Sequence, residues 1–169
     1  MTILSTARLR LREASPLDAA FLLRLINEPG WHRYINDPGV RTLEQTREWM
    51  EGWLPKSYPE QGSGFGLVER LADGEPLGIC GLLRRTALEG PDLGYALLAE
   101  HEGFGYAREA AEGCVRHARE VLGWTELLAI TSPENPRSHA LLRKLGFVDG
   151  ELRQLDGYAE PSRVWRLRL

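Results

Sequence analysis

Between Leu98 and Ala107 the hydrophobic spacing of this chain changes from about two residues to about 3.6, and that change decides what it can fold into. Before it, Gly64 to Leu71 reads as a strand, Asp73-Gly74 as a hairpin turn and Pro76 to Arg84 as the partner strand. Leu93 to Leu98, after Gly90-Pro91, is the third strand of this run. After it, Ala107, Ala110, Ala111, Cys114, Val115, Ala118, Val121 and Leu122 recur at i, i+3 and i+4, so they share one face of a helix that Gly123 ends. The small side chains on that face suit a helix lying close against a sheet. Leu127 to Thr131 is the next strand, and Asn135 to Leu145 the next helix, closed by Gly146. Val148 to Leu169 reads as two strands joined at Asp156-Gly157.

The N-terminal third supplies one strand and two helices. Leu9 and Leu11 alternate with Arg8, Arg10 and Arg12, the pattern of a half-buried strand. Ser15 as N-cap, Pro16 at N1 and Asp18 in the first turn start a helix that carries Phe21, Leu22, Leu25 and Ile26 and stops before Pro29-Gly30. Thr42 and Gln45 form a capping box for a helix that buries Trp49, Met50 and Trp53 and ends at Pro55. The order β-α-α-β-β-β-α-β-α-β-β implies an α/β fold, one mixed sheet with helices on both faces, in a single domain over residues 1–169.

Composition narrows the function. The 169 residues are 43% hydrophobic and 27% charged, enough for a core without disulfides or metal. A net charge of −3 argues against a nucleic-acid binder and against a polybasic membrane-surface protein. No run of about 18 apolar residues occurs, and the start Met-Thr-Ile-Leu-Ser-Thr-Ala-Arg has no charged n-region. The expected compartment is the cytoplasm. Cys80 and Cys114 each sit in an apolar stretch and read as small core hydrophobes. No Cys or His spacing points to zinc.

Two segments carry chemistry. Glu102-Gly103-Phe104-Gly105-Tyr106-Ala107-Arg108-Glu109-Ala110 lies where a strand ends and a helix begins. Its glycines let backbone approach a ligand, and a helix start offers unpaired N–H groups and the positive end of a dipole, together a device for binding phosphate. On the glycines alone, a turn with purely conformational glycines fits as well. A Walker loop needs Gly-Lys-Ser/Thr, which is absent, and a dinucleotide fingerprint wants a small residue where Arg108 stands. The second segment is Asn135-Pro136-Arg137-Ser138, then Leu141 to Phe147, in which Asn135 is a natural N-cap whatever the function.

The two segments in this order, one strand apart, resemble the GNAT superfamily of N-acetyltransferases. Gly103 through Ala110 resembles that family's pyrophosphate loop, and Asn135 through Phe147 its second cofactor-contacting helix. Ala7 to Arg12, Asn27-Glu28-Pro29-Gly30-Trp31 and Asp92-Leu93-Gly94-Tyr95 are similar to the Rim-type branch of ribosomal-protein N-terminal acetyltransferases. The resemblance implies a splayed mixed sheet and acetyl-CoA as cosubstrate, without metal. It places the cofactor on Gly103, Phe104, Gly105, Tyr106, Ala107, Arg108 and Asn135, with an oxyanion donor in the strand backbone around Leu97. The pantetheine arm would enter between that strand and Leu127–Thr131.

The implied chemistry is direct attack of a neutral amine on the thioester. The amine, with a pKa of about 10.4, must first lose a proton. Two positions depart from the family pattern: Glu102, an anion beside the pyrophosphate, and Leu142, where many members carry a tyrosine that protonates the leaving thiolate. Ser138 is the substitute donor that the Rim-type resemblance implies, and Asp92 the candidate base, acting through water or by attracting the cationic amine. Strand alternation puts Asp92, Gly94 and Ala96 on one face and Leu93, Tyr95 and Leu97 on an apolar one. The acceptor, a protein N-terminus or a small-molecule amine, would approach near Trp31, His32, Tyr34, Trp49 and Trp53, with Glu28 and Asp37 nearby. A silent acyl-CoA-binding module is the reading from another class, and a homodimer is compatible with the sequence.

Overall fold

A computed structural model describes residues 1–52 and 64–169. Among these residues the strands are β1 (Thr2–Ser5), β2 (Leu9–Glu13), β3 (Gly64–Arg70), β4 (Pro76–Leu83), β5 (Asp92–Leu97), β6 (Glu126–Thr131), β7 (Val148–Arg153) and β8 (Ser162–Arg168). The helices are α1 (Ala19–Ile26), α2 (Pro29–Tyr34), α3 (Leu43–Glu51), α4 (Tyr106–Glu120) and α5 (Pro136–Lys144). The strands form one sheet in the order β1-β2-β3-β4-β5-β6-β8-β7. Neighbours run antiparallel except β5 and β6, which are parallel because α4 crosses between them.

Helices cover both faces, as the periodicity requires. α1, α2 and α3 bury Leu22, Leu25, Ile26, Trp31 and Met50 against Leu67, Ile79 and Leu98. On the other face α4 lays Ala110, Ala111, Cys114 and Ala118 over Cys80 and Leu93, and α5 adds Leu142 beside Trp165. The small α4 residues do set its closeness: a Cβ on Gly113 would lie 3.0 Å from both Leu4 and Thr6. Cys80 and Cys114 are buried free thiols with their sulfurs 3.6 Å apart, part of this core. None of the helices is long and apolar enough to cross a membrane, among the described residues.

Three local expectations change. β1 precedes the strand expected first and pairs with it as a hairpin, Leu4 opposite Leu11. Ser15 caps a 3-10 turn over Pro16–Asp18, and α1 proper starts only at Ala19. Pro29-Gly30 does not merely stop a helix; Pro29 occupies N1 of α2, where its missing N–H would have had no partner anyway. Trp53 and Pro55 lie outside the described residues.

Candidate functional site

The loop before α4 is built from backbone that only glycine adopts easily. Gly103 has φ +84 and Gly105 φ +81, both left-handed. Gly105 is the N-cap of α4, so the N–H groups of Tyr106, Ala107 and Arg108 form the open first turn. Loop and helix start are fixed from the far end of the chain. Glu109 accepts hydrogen bonds from Thr6 Oγ1 at 2.6 Å, the Arg8 N–H at 2.8 Å and Arg8 Nε at 2.6 Å. Burial pushes the Glu109 carboxyl up, but these donors outweigh it and hold it below its ordinary value. Arg8 Nη1 also donates to the Phe104 carbonyl at 3.0 Å, and its guanidinium lies 4.6 Å over the Tyr106 ring.

Arg8 therefore braces the loop and adds a cation beside it, a role its place in an alternating strand pattern does not reveal. Glu109→Ala is expected to cost about 1.5–3 kcal/mol, the scale of hydrogen bonds to charged groups. A denaturation midpoint equal to the parent's would show that the brace carries nothing. Arg108, by contrast, turns its side chain away to Glu112 at 2.7 Å, leaving its backbone N–H as its contribution to the loop.

The gap between β5 and β6 opens beside this loop. The two strands share one registered pair, Asp92 with Leu128, and then part. Leu98 donates its N–H to Leu77 at 2.9 Å, and Leu97 stands opposite Gly78. The alternation of an antiparallel ladder then turns the Leu97 N–H away from β4, toward the gap, as an oxyanion donor requires.

The first turn of α5 bounds the gap on its other side. Asn135 caps it, accepting from the Ser138 N–H at 3.3 Å. Arg137 pairs with Glu102, so the anion beside the loop has a cation of its own. Ser138 Oγ is 2.7 Å from Tyr95 Oη. The face expected to be apolar thus carries a hydroxyl pair, and burial pushes the Tyr95 phenol up to about 12 against the lowering effect of Ser138. Leu142 is wholly enclosed in the core and offers nothing to the gap.

Asp92, the candidate base, is buried rather than open to solvent. It is 0% exposed, with Arg85 Nε 3.0 Å from Oδ2 in an ion pair whose geometry is not that of a hydrogen bond. Burial is the larger influence and pushes its carboxyl up to about 6, with Arg85 opposing. Arg85 continues to the Tyr158 hydroxyl at 2.6 Å, tying β5 to the connection before β8.

On the α1–α3 side, Trp31 is buried and Trp49 packs against the same core, so both build the helix layer. His32 Nε2 lies 3.6 Å from Asp37. Hydrogen bonds from Arg41 and the Gly39 N–H hold Asp37 at about 2, too acidic to serve as a base. Among the described residues, Glu75, Glu100 and His101 bring three potential metal-ligand atoms within 4.8 Å of one another, and Glu100 is already paired with Arg24.

A glycine loop on a helix start beside two diverging parallel strands is a constellation that comparison with known proteins can identify. The acetyltransferase (GNAT) domain family matches residues 8–148. The chain belongs to the GNAT acetyltransferase family. An uncharacterized protein of Bacillus subtilis, YkkB, is 32% identical over 97% of this acetyltransferase and 90% of its own length. A crystal structure of an acetyltransferase from Agrobacterium tumefaciens superposes with a TM-score of 0.82 at 26% identity, covering 100% of this chain and 95% of that one. Two further structures share the fold at 17% identity. RimL, a ribosomal L7/L12 alpha-N-protein acetyltransferase in complex with coenzyme A, has a TM-score of 0.81 over 100% of this chain and 98% of that one. Spermidine N-acetyltransferase from Vibrio cholerae, in complex with CoA and spermine, has 0.77 over 96% of each chain.

Proposed function

We propose that this acetyltransferase moves the acetyl group of acetyl-CoA to a primary amine by direct attack. The observation that carries the reading is the left-handed Gly103 and Gly105 pair on the open first turn of α4, beside the gap between β5 and β6. The pyrophosphate would sit on the N–H groups from Gly103 to Arg108, and the pantetheine would follow the gap past Asn135 toward Leu97. The Leu97 N–H would then face the carbonyl oxygen as it becomes an oxyanion.

Ser138 is the group we assign to the departing sulfur. A thiol with a pKa of about 8.5 leaves readily, so the assistance is modest. Ser138→Ala is expected to lower kcat by up to about 10²-fold and to leave KM for acetyl-CoA nearly unchanged, because the interaction strengthens only as charge develops. An unaltered kcat would reduce Ser138 to a helix-start residue. For the other proton, we assign water in the cleft. The Asp92 carboxylate is enclosed and about 16 Å along the strand from Leu97, so it acts as a buried charge beside Arg85.

A protein N-terminus is the acceptor we place first, on the Rim-type features of the sequence and the fold shared with RimL. A polyamine or similar small amine is the second reading, favoured by the equally shared fold of the spermidine enzyme. Coenzyme A release measured across N-terminal Ala and Ser peptides, polyamines and amino-acid-derived amines separates the two. Silence across the whole panel, with acetyl-CoA bound, would leave an acyl-CoA-binding module.

A further inference from the structure

We infer that Tyr95 positions the Ser138 hydroxyl so that its single proton points at the coenzyme's sulfur. This rests on the acetyl-CoA reading above and deepens it. The two oxygens are 2.7 Å apart and come from opposite sides of the gap, one from a strand and one from the first turn of a helix.

A serine hydroxyl has one proton and two acceptor sites, and so does a tyrosine's oxygen have one proton to give. Two arrangements of the pair therefore exist. In one, Ser138 donates to Tyr95, and the Tyr95 proton must find another acceptor; the nearest is the Ser138 carbonyl at 3.4 Å, a long contact. In the other, Tyr95 donates to Ser138 Oγ, and the serine proton is released toward the gap. Negative charge arriving on a sulfur there selects the second arrangement, and donation by Tyr95 strengthens Ser138 as a donor in turn. Burial keeps the phenol protonated across the working range, so it remains a donor throughout. The position of Ser138 in the first turn of α5 favours the same charge through the helix dipole.

The step balances without any further reactant. The amine nitrogen's lone pair forms the C–N bond, the C–S bond breaks and its electron pair goes to sulfur. Sulfur takes the Ser138 proton, and the proton shed by nitrogen returns through water to Ser138. Tyr95 keeps its own proton and acts through Ser138, which makes it a positioning residue.

The test does not need the acceptor's identity. The thiol of bound coenzyme A can be titrated by the ultraviolet absorbance of its thiolate, and its pKa reads the donor directly. In the parent it is expected below the free value of about 8.5. Tyr95→Phe removes only the hydroxyl and should weaken thiolate stabilisation by about three- to tenfold, the worth of one neutral hydrogen bond. Ser138→Ala should weaken it at least as much, and Tyr95→Phe added to Ser138→Ala should change nothing further. With acceptor present, kcat should fall in the same proportions while coenzyme A affinity stays put. A parent-like thiol titration in Tyr95→Phe overturns the inference, as does an equal Tyr95→Phe effect with and without Ser138. Ser138→Ala alone suffices if the tyrosine variant does not fold: a parent-like thiol pKa there also overturns it. A parent that binds no coenzyme A fails earlier and sinks the acetyl-CoA reading instead.

Discussion

Gly105→Val is expected to abolish acetyl-CoA binding while the protein still folds. The left-handed conformation at φ +81 costs an ordinary L residue about 1–2 kcal/mol, and a β-branched one more. A Cβ there would also come to 3.4 Å from Arg8 Nη2, so the branched methyls of valine would stand close to the cation that braces the loop. The loop's easiest escape is a flip to negative φ. That flip turns the N–H groups ahead of α4 away from the phosphate and brings side-chain bulk where the backbone must approach it. The fold survives because Gly105 is exposed and its neighbours in the loop carry little of the core. Gly123→Val is the control: Gly123 is left-handed too, at φ +65, and lies three residues beyond the end of the same helix, with open space where a Cβ would stand. Calorimetry should find coenzyme A bound by the Gly123 variant and not by the Gly105 variant. Equal affinity in Gly105→Val and the parent would remove the loop from the binding site.

Both left-handed glycines stand where the sequence puts a turn, and much else of the site is not legible there. Local chemistry reads well because its partners are neighbours. Thr42 and Gln45 form the reciprocal cap their spacing promises, with Gln45 N–H to Thr42 Oγ1 at 3.2 Å. Asn135 and Pro136 start α5, and Gly146 with φ +92 follows its end. β1 escapes because Thr2–Ser5 is too short to show alternation. Pairings across the chain escape for a different reason. Arg8 and Glu109 meet across 101 positions, and nothing in either segment encodes the other. Tyr95 reads as one more apolar residue on a strand face, because an amphipathic side chain counts as apolar until something polar reaches its hydroxyl. Ser138 does reach it, from a helix that only the crossover brings alongside. Asp92 errs the other way: a carboxylate at a strand start looks solvated, and only the tertiary fold closes Arg85 over it.

That closure has a measurable consequence, and Asp92→Asn is expected to reveal it as a pH-dependent change in stability. An acid whose folded pKa lies above its unfolded value binds its proton more tightly in the native state. For Asp92 the values are about 6 folded against an ordinary 3.8, with burial as the main cause. The unfolded chain therefore releases this proton first as pH rises. Between the two values the native state holds more protons than the unfolded state, so this group's contribution to stability falls with rising pH. The span corresponds to about 3 kcal/mol. It is present in full below pH 3.8 and gone above about 6. Depressed acids elsewhere, Asp18 and Glu69 among them, push the whole protein the opposite way, so the effect must be read as parent minus variant. Denaturant midpoints from pH 3 to 8 should show that difference shrinking or reversing as pH rises through the window, since asparagine fills the same space without a proton to lose. A flat difference would mean that the Asp92 carboxyl titrates as it does in water, and that its enclosure beside Arg85 is not maintained. The same variant decides the base. If water takes the amine's proton, the acidic limb of the kcat profile belongs to the amine and stays where it is in Asp92→Asn. If a limb near pH 6 disappears with the carboxylate, then Asp92 does receive that proton across the distance from Leu97, and a relay of water molecules must connect them.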